Sequence, residues 1–362
     1  MPHLVKVFCG ILACGTLAGA TPPPVGELDR QTLAWMQSVL DHWETTCSRH
    51  LRVPAGPLPW IIFYDENRAL HLNPEKRLLP SHRKVSSFLT FSGRTYPLVE
   101  LRHRGGLWIP DGQALSVTAN AFTMLYAGDQ KPFVTMPLPA FYRKHSGAGP
   151  APMLDELFLG LSQHELAHTR QIVHAAKRIK HLRTRYPLPD DIDDDIVENT
   201  FGKNREYVKM YDEERRHLSR AVFAYDLSLC REALAEALSA SQRRRERFFS
   251  GTRRFYADLE DIFLSMEGLG MWVHYQVARD RASQEEPWHQ TLFRVLQTAG
   301  DSWSENHGLK LFVLMDRLAP GWQRRFLTRD FPQPSEVLRE ALKTGTLSSH
   351  RTTALERGEK QE

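Results

Sequence analysis

Leu28, Leu33, Trp35, Met36, Val39, Leu40 and Trp43 recur at roughly helical spacing and predict a helix over residues 28–50. Pro54, Pro57 and Pro59 end that pattern. Trp60-Ile61-Ile62-Phe63-Tyr64 follows, a short continuous apolar run of the kind that forms a buried strand. Over residues 85–140, short apolar or alternating pieces stand between turn signals at Gly105-Gly106 and Pro110-Asp111-Gly112, which predicts further strands. In Pro132-Phe133-Val134-Thr135-Met136-Pro137 the flanking prolines cannot donate to a ladder, so this piece reads as an edge strand. The pattern changes near residue 153. From Leu154 to about Lys180 there is no proline, and apolar residues fall at helical intervals. Pro187-Leu188-Pro189 breaks the chain before the acidic run Asp190 to Asp195. Residues 196–280 read as several long helices, and 288–342 as further helices broken at Pro320 and Pro332. The expected fold class is α+β, with a strand-containing region over 21–152, a helix-dominated region over 153–342 and a polar tail over 343–362.

The first twenty residues stand apart from this pattern. Lys6 precedes an apolar stretch from Val7 to Ala18, and Ala18-Gly19-Ala20 has the small-x-small form of a signal cleavage site. The stretch is too short to span about 30 Å of hydrocarbon comfortably. Thr21-Pro22-Pro23-Pro24 then forms a stiff segment that cannot continue a helix. The expectation is an exported protein, periplasmic or secreted, whose mature chain begins near Thr21. Cleavage there removes Cys9 and Cys14 and leaves Cys47 and Cys230, which could form one bridge if they meet. No later run is long and apolar enough for a transmembrane span.

Composition narrows the class. The 362 residues are 41% hydrophobic and 25% charged, which is ordinary globular usage and excludes a collagenous, coiled-coil or wholly disordered chain. A formal net charge of +4 is too small for a dedicated nucleic-acid binder. Four cysteines cannot staple a chain of this length.

The sixteen histidines are informative in their placement. His164-Glu165-Leu166-Ala167-His168 is H-E-x-x-H inside the helix expected after residue 153. Residues four apart lie one above the other on a helix, so the two imidazoles can converge on one ion. Glu165 emerges about 100° further round, where it can reach a metal-activated water without ligating. By itself the motif arises in roughly one random chain in twenty of this composition, so its surroundings matter. Leu157, Leu161, Leu166, Ile172 and Val173 can bury parts of the helix, and the strand Phe133 to Met136 lies a short loop upstream.

The arrangement resembles the gluzincin group of zinc metallopeptidases, in which H-E-x-x-H supplies two ligands and a glutamate on a later helix the third. That resemblance implies His164 and His168 as zinc ligands and Glu165 as general base. Glu267, in Ser265-Met266-Glu267-Gly268-Leu269-Gly270-Met271-Trp272, resembles the segment E-G-[LMI]-[AG]-x-[WY] that carries the ligand glutamate in several members. Gly268 and Gly270 each cost roughly 1 kcal/mol of helix propensity against alanine, which points to a close approach by another helix or a ligand. Glu260 and Glu198 are the alternatives for this ligand. The 98 residues between His168 and Glu267 are more than compact members carry, so an insertion or cap must lie there.

Other residues carry weaker signals. His274 falls two turns after Glu267 and could polarise a substrate oxygen, while His174 reads as an ordinary packing or solvated residue. Tyr207, Tyr211, Tyr225 and Tyr275 read as core aromatics before hydrogen-bond donors. Asp190 to Asp195 lacks the glycine and terminal glutamate of an EF-hand and reads as a solvated loop. Arg243-Arg244-Arg245-Glu246-Arg247 reads as a solvated helix face, and Cys230 as a small buried residue. No serine-nucleophile elbow, phosphate loop or dinucleotide fingerprint competes. The expected activity is zinc-dependent hydrolysis of a peptide or other amide. The alternative is a catalytically inactive binding protein of the same fold.

Overall fold

A computed structural model describes residues 7–8, 28–80, 84–110, 112, 114–126, 130–145, 151–300, 302–327 and 332–344. The rest of the expected signal segment and most of the polar tail lie outside the described residues. The strands are β1 (Val7–Phe8), β2 (Trp60–Tyr64), β3 (Arg68–Leu72), β4 (Lys84–Phe91), β5 (Arg94–Arg102), β6 (Gly106–Trp108), β7 (Ala114–Ser116), β8 (Phe122–Tyr126) and β9 (Lys131–Pro137). The helices are α1 (Arg30–Thr45), α2 (Pro139–His145), α3 (Ala151–His168), α4 (Ile172–Arg185), α5 (Ile196–Phe201), α6 (Arg205–Phe223) and α7 (Leu227–Phe248). They continue as α8 (Phe255–Arg281), α9 (Trp288–Thr298), α10 (Trp303–Leu318), α11 (Trp322–Phe326) and α12 (Pro334–Thr344). The chain is helix-dominated with a small N-terminal sheet, as an α+β reading requires. No described helix is long and apolar enough to cross a membrane.

Contacts divide the chain into two compact units, residues 1–194 with 269–298, and residues 195–268 with 299–362. The division passes through α8, a single continuous helix. In the first unit, seven strands pair in the order β1-β8-β9-β2-β3-β5-β4, and β6 pairs with β7. Among the described strands of the large sheet, β2 and β9 run parallel and the other neighbours antiparallel. β9 is therefore interior, contrary to the edge position its prolines suggested. Pro132 and Pro137 sit at its two ends, opposite Leu125 and Tyr64, so the missing donors fall where the ladders finish. Phe133 to Thr135 carry both ladders, and Phe133 to Met136 are buried.

The start of α1 is set by Asp29, whose side chain accepts from the Thr32 amide at 2.7 Å, a cap worth about 1 kcal/mol. Met36, Val39, Leu40 and Trp43 then bury one face of the helix. Gln163 Nε2 of α3 donates to Val39 O at 2.9 Å and ties the two helices together. Phe158 of α3 stacks on Trp35 at 5.0 Å and on Tyr142 of α2 at 4.5 Å. With Leu161 it joins the core formed by Trp60, Ile62, Tyr64 and Phe133 of the sheet. These contacts fix α3 against the strands. The single helix expected from Leu154 to Lys180 is two: Thr169–Gln171 form a turn between α3 and α4. Thr169, Arg170 and Gln171 amides bond carbonyls only three residues back, which tightens and ends α3.

His71 of β3 is fully buried, and its Nδ1 accepts from Trp60 Nε1 at 3.1 Å. Burial, reinforced by His103, pushes its pKa down to about 3. An unfolded histidine titrates near 6.5, so the unfolded chain takes up this proton first as pH falls. Stability should be fully present above about pH 6.5 and fall toward pH 4, by up to about 1.4 kcal/mol per pH unit for each such group. Urea unfolding across that range should show the loss, with a shallower slope in His71→Gln.

The second unit is helical. Asn204 caps α6 and Asp226 caps α7, each accepting from two amides of the first turn. Within this unit Gly268 of α8 meets Gly308 of α10: a Cβ on Gly308 would lie 2.6 Å from the Gly268 Cα. The two helix backbones are therefore in near contact there.

Candidate metal centre

α3 and α8 are apolar around most of their circumference, and their central parts, residues 158–168 and 259–278, are buried on every side. Two glycines let them approach. A Cβ on Gly160 would stand 2.0 Å from His274 Cδ2, and one on Gly270 would stand 2.6 Å from His164 Nε2. Each helix carries glycine followed four residues later by histidine, so the fit is reciprocal and the helices meet antiparallel. One turn beyond His164 along α3 is His168. One turn before Gly270 along α8, on the same face, is Glu267.

That register brings the expected ligands together. Nε2 of His164 and Nε2 of His168 are 2.7 Å apart, with their rings at 85°. With a Glu267 carboxylate oxygen they form a buried group whose ligand atoms all lie within 4.8 Å of one another, a set that could hold a metal ion. Glu305 of α10 also offers an oxygen within 4.8 Å of one from Glu267. Two imidazoles and a carboxylate make an N₂O donor set, whose chemistry would fit a divalent transition metal such as zinc. Burial pushes the pKa of His168 down to about 3, with a hydrogen bond to the Gln171 side chain acting in the opposite direction. The ring is thus in the neutral form that metal binding requires.

Glu165 lies beside the pair and is fully buried. Thr123 of β8 reaches it from the sheet: its hydroxyl is 2.8 Å from Glu165 Oε2 and 2.8 Å from the Glu165 carbonyl oxygen. Thr123 and Gln171 are site neighbours that sequence reasoning missed. The available signals were a hydroxyl within the otherwise apolar strand Phe122–Tyr126 and a buried amide just after the motif.

The alternative ligands are engaged elsewhere. Glu260 accepts from Arg244 and Arg245, and Glu198 Oε2 accepts from the Trp303 amide at 3.2 Å. His274 is buried in the notch at Gly160, and burial together with Arg294 pushes its pKa down to about 4. His174 is half-buried. Tyr207, Tyr211 and Tyr275 are core aromatics, whereas Tyr225, expected among them, is 93% exposed. In the acidic run Asp190 and Asp191 are exposed, but Asp194 is buried, so that loop is only partly solvated. The arginine run is likewise split: Arg243 and Arg247 are exposed, while Arg244 is buried. Cys47 and Cys230 are both free and buried, and burial raises both thiol pKa values, that of Cys47 to about 11.

No protein family matches the chain, and no curated protein or solved structure matches it either. The functional reading therefore rests on the residues and their geometry.

Proposed function

We propose that the protein is a zinc-dependent hydrolase of peptide or other amide bonds, with His164, His168 and Glu267 as ligands and Glu165 as general base. The observation that carries this reading is the convergence of the two H-E-x-x-H imidazoles with Glu267, through a helix contact that Gly270 makes possible. Bound zinc supplies a Lewis acid that activates water near neutral pH and polarises a carbonyl. Glu165 takes a proton from the attacking water on its carboxylate and returns it to the departing amine nitrogen. The surrounding apolar helices keep bulk water away and strengthen these charge interactions. Export is part of the same proposal: the substrate is an amide met outside the cytoplasm, and mature exported protein should give an intact mass that begins near Thr21. A mass retaining residues 1–20 rejects the export step.

The test is metal content together with turnover. Purified protein should bind one zinc, and His164→Ala or His168→Ala should lose it. Glu165→Gln should keep zinc and lose at least about 100-fold in rate, the ordinary contribution of a general base. Absence of bound zinc, or full activity in Glu165→Gln, overturns the proposal. One observation favours a second reading, a catalytically inactive binding protein: His164, Glu165, His168 and Glu267 are all completely buried. That reading predicts bound zinc with no turnover of any peptide or amide offered, whereas the hydrolase must move covering chain to admit its substrate.

A further inference from the structure

We infer that Thr123 is a positioning residue for the Glu165 carboxylate, an assignment that rests on the hydrolase reading and extends it from α3 to the sheet. Thr123 is fully buried on β8 and paired with Val134 of β9 inside the ladder, so its backbone is fixed by the sheet. Its hydroxyl lies 2.8 Å from two oxygens of a single residue, the Glu165 carbonyl and Oε2. Both acceptors have a reason to draw it. The Glu165 carbonyl lies in the last turn of α3, where the Thr169 amide turns to Leu166 O instead. The carboxylate, when ionised, accepts a charge-assisted hydrogen bond.

The hydroxyl has a single proton, which these two acceptors share in a three-centre bond, so one group on a rigid strand holds both the backbone and the side-chain end of the same glutamate close to it. Three side-chain torsions separate those two oxygens, and holding both ends restricts all three. Glu165 is kept to one rotamer, with the edge bearing Oε2 turned to the sheet. A base held in this way does not have to search for its proton, and misplacement by about 1 Å costs on the order of 100-fold in rate. Valine has nearly the same shape as threonine but cannot donate, so Thr123→Val removes the clamp without opening a cavity.

The experiment uses zinc-loaded full-length protein. Thr123→Val should lower kcat about 10- to 100-fold with KM within about twofold, and Thr123→Ser should restore it. Zinc affinity should stay within about threefold, because no ligand is touched. In a Glu165→Gln background Thr123→Val should cause no further loss, since it acts through the carboxylate. A readout independent of turnover is the Glu165 carboxylate stretch, isolated in the infrared as the difference between wild type and Glu165→Gln; it should shift in Thr123→Val. Turnover and stretch both unchanged in Thr123→Val overturn this role and leave the hydrolase reading intact. Zinc-loaded wild type without turnover overturns the hydrolase reading and this role with it. A Thr123→Val variant that loses zinc affinity and rate together, equally in both backgrounds, shows a structural residue and also overturns the inference.

Discussion

Replacing Arg244 by methionine should destabilise the protein by about 3–5 kcal/mol at neutral pH, the cost of leaving buried charges without their partner. Arg244 is 1% exposed and donates to Glu214 Oε2 at 2.8 Å, Glu260 Oε1 at 2.8 Å and Tyr207 Oη at 2.6 Å. His307 Nε2 stands 3.2 Å from the other Glu214 oxygen, and Arg245 holds Glu260 as well. Burial alone would raise the Glu214 pKa, but Arg244 and then His307 outweigh it and hold the carboxyl well below the usual carboxylate range. Glu260 is depressed in the same way by Arg244 and Arg245. A depressed carboxyl contributes stability above its unfolded pKa, about 4.3 for glutamate, and loses it as pH falls through the folded value. Arg244→Met abolishes much of that contribution, so the gap between wild type and variant should be largest near pH 7 and narrow below about pH 4. Urea unfolding at the two pH values checks this. A loss under about 1 kcal/mol at pH 7 would mean that the network contributes little.

The second large effect should appear at Gly270. Alanine is the better helix former by about 1 kcal/mol, so on an open helix Gly270→Ala would stabilise. Here the added Cβ would meet His164 Cδ2, Nε2 and Cε1 at 2.6–2.7 Å, and either the ring or the helix must shift. Overpacking of this kind costs about 1–3 kcal/mol. Because the displaced group is a proposed ligand, zinc affinity should fall at least about 10-fold, in the range seen when groups supporting a ligand are changed. Gly268→Ala is the control. Its Cβ would meet the Gly308 backbone at 2.8 Å and Phe312 Cδ2 at 2.7 Å, so it too should destabilise. Its zinc affinity should change much less than that of Gly270→Ala. Equilibrium metal competition on both variants separates the two; equal zinc affinities would detach Gly270 from the metal centre.

The parts of this arrangement that were legible in the sequence are those encoded along one element. The spacing of His164 and His168 is a property of a single helix, and so is the apolar run that buries Glu267. The glycine cost at 268 and 270 announced close approaches without saying to what: the two neighbours prove to be Gly308 on one side and His164 on the other. What could not be read comes from other elements. Thr123 reaches Glu165 from a strand forty residues earlier, and nothing local marks it beyond one hydroxyl among apolar neighbours. Arg244 looks like its exposed neighbours in an arginine-rich run until α6 and α8 supply Glu214 and Glu260. The prolines of β9 misled for a related reason. A proline excludes a donor at its own position, but the position in the sheet is decided by the residues between.

The reciprocal contact of α3 and α8 also constrains how such a chain can diverge. Gly160 makes room for His274, and Gly270 makes room for His164, so each glycine answers to a residue more than a hundred positions away. The two pairs are under different obligations. A side chain can enter at 160 once 274 shrinks, for nothing in the proposed chemistry depends on either; Gly160→Ala combined with His274→Ala is a compensated change. Position 270 has no such escape, because the ring that fills its notch is the one proposed to hold the ion. Among descendants of this sequence, positions 160 and 274 are therefore expected to drift as a couple, while 164 and 270 stay fixed together.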